Sequence, residues 1–124
     1  MTAYERLGGE AGVKALMEGL YIRALVDPVL SPFLVGVDID RLKSSQFAFV
    51  SQATGGPHQY VGSLPQAHAH LRIEPQHFDA FAEHMRAALQ DLGVDDSLVT
   101  ELMSMVQGVR SLIVNEPSNT TAAI

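Results

Sequence analysis

A chain of 124 residues, 47% hydrophobic and 18% charged, has single-domain size and enough apolar side chains for one core with room for an apolar ligand. It has no cysteine, which excludes disulfides, thiolate nucleophiles, Cys-ligated zinc or iron–sulfur centres and thioether attachment of a cofactor. The net charge of −6, with eight Lys and Arg scattered singly, argues against a nucleic-acid surface and for a small-molecule binder.

No apolar run approaches the roughly 18–20 residues of a membrane span, and Met1 to Ala15 has no signal-peptide core, so a cytoplasmic protein without membrane contact is expected. After Met1 to Leu7 and a break at Gly8-Gly9, the stretch Glu10 to Val26 carries Val13, Leu16, Met17, Leu20, Ala24 and Leu25 at helical spacing. Tyr21 lies toward the edge of that face, where its phenol either reaches inward to a partner or stays in water. Asp27-Pro28 stops the helix, and Pro32 limits regular structure as far as Phe33. Asp38 reads as the N-cap of a helix running to about Ala53, with Ile39, Leu42, Gln46, Phe49, Val50 and Ala53 turned inward. Gln46 on that stripe needs a partner, since an unpaired buried amide costs about 1–3 kcal/mol. Backbone or a bound polar ligand would serve.

Thr54 to Leu64, with three glycines and Pro57, reads as a loop, and Pro65 to Leu71 has room for a turn or two of helix. Glu74-Pro75 opens a helix with Phe78, Phe81, Ala82, Met85, Leu89 and Leu92 on its buried stripe, and Gly93 ends it. A last helix starting near Asp96 or Ser97 presents Leu98, Leu102, Met105, Val106, Val109, Leu112 and Ile113 on one face. The expected class is all-α, with four main helices in two antiparallel pairs, one domain over 1–115 and a disordered tail over 116–124. The long irregular crossing between the pairs is unusual for so small a domain unless it has a function, and it contains His68 and His70. Those two histidines point to different sides of a short helical turn. His58 reads as solvated, and His77 and His84, seven apart, are poorly spaced for chelation.

Several ordered motifs carry a resemblance that spans Tyr4 to Asn115. They are Tyr4 to Gly9 (YERLGG), Leu20-Tyr21, Leu25 to Pro28, Arg41-Leu42 followed by Gln46, and Gly55-Gly56-Pro57. Tyr60, Gly62, Ala67-His68, Ile73 and His77-Phe78 complete the set. In these the chain resembles the group I truncated haemoglobins, short two-over-two helical globins. The resemblance implies non-covalent haem b with His68 as the proximal iron ligand, and a spacing one residue shorter than in some relatives keeps His70 as the alternative. It implies Tyr21 and Gln46 as distal donors to bound oxygen, with Leu42 where longer globins often carry a distal histidine. Arg41, Tyr60 and Arg72 are implied to face the haem propionates, and Phe33, Phe49, Ile73, Phe78 and Phe81 to pack on the porphyrin. Leu34 stands where the family often has a second phenylalanine, and Ser45 where some members carry a histidine or lysine able to bind iron.

The implied function is binding of oxygen, nitric oxide and carbon monoxide. It extends either to oxidation of nitric oxide to nitrate with a separate reductase, or to oxygen storage, delivery or sensing without turnover. A monomer or weak dimer is expected.

Overall fold

The computed structural model describes residues 1–62 and 71–114, and every regular element among them is helical. In chain order these are α1 (Ala3–Arg6), α2 (Gly9–Val26), a 3-10 turn (Ser31–Leu34), α3 (Ile39–Ala53), α4 (Pro75–Asp91), α5 (Asp96–Gly108) and α6 (Arg110–Ile113). Residues 63–70 and 115–124 lie outside the described residues, and with them the expectations for His68, His70 and the tail.

Composition alone gives no reason to expect α1. A capping box creates it: Thr2 Oγ1 accepts from the Glu5 N–H at 3.1 Å, and Glu5 Oε1 accepts from the Thr2 N–H at 3.0 Å. The chain then turns sharply into α2, and Gly12 makes the turn possible, because a Cβ there would lie 1.8 Å from the Leu7 carbonyl oxygen. α2 buries Val13, Leu16, Met17, Leu20, Tyr21 and Ala24. Leu25, expected on the same stripe, lies further round the helix and is exposed.

Asp38 caps α3 as expected, its Oδ1 accepting from the Arg41 N–H at 3.2 Å. α4 begins with Pro75 in its first turn and buries Phe78, Ala82, Met85, Ala88 and Leu89. The last helix departs from expectation. It begins at Asp96 but stops at Gly108, Val109 leaves helical geometry at φ −102°, and the short α6 follows. Glycine followed by a β-branched residue is a weak point in a helix, and here the chain bends at it.

α2 is the hub, packing on α3 along one side and on α4 along another, while α4 packs on α5. α2 and α4 come close at Gly19, where a Cβ would make ordinary contact with the Ala88 methyl at 3.4 Å. The Gly55-Gly56 loop closes against α1 through the Tyr4 N–H, which donates to the Thr54 carbonyl at 2.8 Å. A side chain at Gly56 would meet Ser51 Oγ at 2.4 Å and the Tyr4 ring at 2.5 Å, so the YERLGG and GGP motifs are two halves of one contact. His58, expected to be solvated, is instead half-buried: its Nδ1 lies 3.1 Å from the hydroxyl of the fully buried Ser51, and Phe47 packs edge-on to its ring at 4.7 Å.

Two polar ties join α2 to α4. Arg23 pairs with Asp91, and His84 Nε2 lies 2.5 Å from Asp27 Oδ2 at the end of α2. The hydrogen bond from His84, together with the Val29 N–H donating to Asp27 Oδ1 at 2.8 Å, holds the Asp27 carboxyl below the usual carboxylate range. A depressed folded-state pKa contributes stability above the unfolded value of about 4, lost as pH falls through the folded value. Asp27→Asn should therefore lower the melting temperature at neutral pH and flatten its decline below about pH 4, read from thermal melts across an acid series.

Candidate functional site

The four main helices do not close on one another completely. Between α2, α3, α4 and the α5–α6 segment lies a cavity of about 670 Å³, within the range of about 300–1,000 Å³ typical of small-molecule sites. Each wall follows from a local pattern already described. α3 contributes Leu42, Ser45, Gln46 and Phe49, an i, i+3, i+4, i+7 set on one helical face. α2 contributes Tyr21, the 3-10 turn contributes Phe33 and Leu34, and α4 contributes Phe78 and Phe81. Tyr60 and Ile73 stand on the two sides of the crossing.

Eleven of the residues singled out from sequence are thus brought together around one space. Arg41 and Arg72 are not among its lining residues and are exposed, and His68 lies outside the described residues. Arg72 has φ +55°, the one positive value at a non-glycine among the described residues, and it precedes the lining residue Ile73. The structure also recruits lining residues that sequence reasoning did not assign to a site. Met85, Leu89, Leu102 and Met105 carried only a helical-stripe signal, and Val37 none. His77, poorly spaced from His84 for chelation and given no site role by its sequence position, lines the cavity.

The polar groups on the wall decide its chemistry. Tyr21 is 3% exposed, and its ring packs edge-on to Phe81 at 6.5 Å between centroids. Its hydroxyl has no hydrogen-bond partner among the described residues, yet no buried side-chain N or O among them is enclosed without one. The hydroxyl therefore opens onto the cavity. Burial pushes its pKa well above the ordinary tyrosine value, so it stays a protonated donor. The Gln46 carboxamide likewise bonds to none of the described residues, which removes the backbone partner considered for it within that part of the chain. Tyr60 is held by its own N–H, which donates to Gln52 Oε1 at 2.7 Å, and by an edge contact with Phe49 at 5.3 Å.

The cavity is lined by aromatic and aliphatic carbon with a few inward donors, and this donor set fits a large apolar cofactor that brings its own metal. Among the described residues no three His, Asp or Glu side chains converge to hold a bare ion.

Comparison with known proteins agrees with the geometry. The family model for bacterial-like globins matches residues 2–115. The group 1 truncated haemoglobin of Mycolicibacterium paratuberculosis is 36% identical over 106 residues, covering 85% of this chain and 78% of its own. That of Tetrahymena pyriformis is 34% identical over 110 residues, covering 88% and 91%. The crystal structure of the Tetrahymena pyriformis protein in its Fe(III) form superposes with a TM-score of 0.88 at 32% identity, covering 94% of this chain and 100% of that one. A Synechococcus 2/2 haemoglobin with covalently attached haem gives the same TM-score, identity and coverage. The all-α fold with this cavity is the two-over-two globin sandwich, and the chain belongs to the bacterial-like globins, in their group I truncated-haemoglobin branch. With that family come a haem cofactor and the binding of diatomic gases.

The buried phenol has a measurable consequence. A folded-state pKa raised above the unfolded value of about 10 means that folding loses stability as pH rises beyond 10, because the unfolded chain gives up that proton first. Tyr21→Phe should retain more of its neutral-pH stability at pH 10–11 than the wild type does, and lack the last-ionising part of the tyrosinate absorbance titration.

Proposed function

We propose that the cavity holds haem b without a covalent bond, that dioxygen, carbon monoxide and nitric oxide bind there, and that the protein oxidises nitric oxide to nitrate with a separate reductase. What carries this reading is the pair of donors Tyr21 and Gln46, without a hydrogen-bond partner among the described residues, on a largely apolar wall of a globin fold. His68 is the proposed iron ligand, with Phe33, Leu34, Leu42, Phe49, Ile73, Phe78 and Phe81 packed about the porphyrin. Tyr60 on the cavity wall and the exposed Arg41 and Arg72 are proposed to meet the propionates, an arrangement supported by the need of those carboxylates for water and charged donors. The domain is 1–115, and we take the protein to be cytoplasmic and a monomer or weak dimer.

Bound haem supplies a ferrous iron with one open position for a diatomic ligand. The chain's own part is to stabilise the charge that collects on that ligand. The Tyr21 O–H and the Gln46 side-chain N–H donate toward it in a space that water enters poorly, where each hydrogen bond is worth roughly 1–3 kcal/mol. The edge contact with Phe81 fixes the Tyr21 ring before the ligand arrives, so little reorganisation is needed. Ser45 offers only a hydroxyl toward the cavity, a poor competitor for iron, which favours a five-coordinate ferrous state in the absence of gas. Oxidation of nitric oxide by dioxygen to nitrate consumes one electron per nitrate. The sequence carries no flavin or nicotinamide motif, so that electron comes from a partner protein. Without such a partner, the same pocket stores, delivers or senses oxygen.

Two measurements test the reading. The reduced protein should show a five-coordinate histidine–haem absorption spectrum that shifts with carbon monoxide, lost in His68→Ala and kept in His70→Ala; the reverse pattern would move the ligand to His70. In stopped-flow displacement, Tyr21→Phe should release oxygen about tenfold faster or more, as expected for loss of one donor hydrogen bond. An unchanged rate would remove Tyr21 from the distal role, and sustained nitrate formation with an added reductase separates turnover from storage.

A further inference from the structure

His77 is a polar side chain on the cavity wall that the gas-binding reading leaves without a role. It sits in the first turn of α4, and its Nδ1 accepts from the Glu74 backbone N–H at 3.0 Å. That bond settles the tautomer. With Nδ1 occupied as an acceptor, the neutral ring carries its proton on Nε2 and presents it as a donor. Phe33 packs edge-on to the ring at 4.8 Å and 68°, which restricts its swing, and Nε2 has no partner among the described residues. His77 and Phe33 both line the cavity, and His77 is half-buried, with the exposed Glu74 bonded beside it. It therefore stands on the rim, where an apolar wall meets water.

An amphiphilic cofactor with an apolar body and carboxylate groups lies across such a rim with its carboxylates outermost, since burying them unpaired is costly. Glu74, the N-cap, already places a carboxylate at this end of α4, so the donor offered to a cofactor carboxylate is the His77 ring and not the helix terminus. We infer that His77 Nε2–H donates a hydrogen bond to a carboxylate of the bound haem, making His77 a cofactor-binding residue that slows haem loss. This rests on the haem reading above, and the test keeps the two apart.

The apoprotein is loaded with ferric protohaem or with its dimethyl ester, which has the same ring but no carboxylate charge, and release to excess apomyoglobin is timed. His77→Phe should release protohaem about tenfold faster than wild type while releasing the ester at the wild-type rate, as the loss of one charge-assisted bond predicts. His77→Gln, which keeps an N–H donor, should restore part of the difference. Equal acceleration for both porphyrins would make His77 a packing and capping residue only and overturn the assignment, as would no change for either. If wild type takes up neither porphyrin, the haem reading itself falls and this contact with it. Far-ultraviolet circular dichroism of each apoprotein checks that helix content is unchanged.

Discussion

The structure depends on a space that the protein cannot afford to leave empty. The pocket of about 670 Å³ is partly open, and the apolar side chains that border it forfeit the dispersion contacts that a packed core would give them. Water offers little relief on walls of phenylalanine, leucine and valine. The occupant is therefore part of the core, and the helices act as a frame for it. Leu16, Leu89 and Leu102 are buried against protein on one side and border the cavity on the other. This also explains why Met105, on the apolar stripe of α5, remains partly accessible: its neighbours are walls of the space rather than a packed interior.

A frame of this kind needs support that does not pass through its centre. α2 provides it. Its buried stripe is almost fully shielded by protein, and at Gly19 it lies at contact distance from Ala88 of α4. Around it the ties lie at the margins, with Arg23 to Asp91 and Asp27 to His84 on one side and Lys43 to Glu18, at 2.9 Å, toward α3. Exposed ion pairs contribute little individually, so their value lies in fixing how the helices sit. The glycine contact between α1 and the loop after α3 acts similarly, pinning the far end of α3 so that Gln46 and Phe49 keep their aim.

Much of this was legible in the sequence because helical periodicity and caps are local. The bounds of α3 follow from Asp38, those of α4 from Glu74-Pro75 and Gly93. Tyr21 and Gln46 stood out because a polar side chain on an apolar stripe demands a reason, and both prove to line the cavity. What was not legible is what depends on contacts distant in the chain. Nothing near His58 announces that Ser51 will be wholly buried beside it. The helical stripe of α4 gives His77 no role, whereas its environment is set by Phe33, forty-four positions earlier. The break at Val109 lay within a continuous apolar pattern, and only Gly108 hinted at it.

Tyr21 shows how one position serves both the frame and the chemistry. Its ring belongs to the core, packed on Phe81 and shielded almost completely from solvent, while the residue lines the cavity. Burial that stabilises the ring also keeps the phenol protonated, and a protonated phenol is what a ligand gathering negative charge requires. A serine there would lose the ring packing, and a phenylalanine would lose the donor. Placing the donor on α2, the most firmly packed helix, fixes its position more tightly than a loop residue would allow. The less constrained polar groups, Tyr60 and His77, stand beside the crossing and at the start of α4, where the cofactor's own polar edge can meet water.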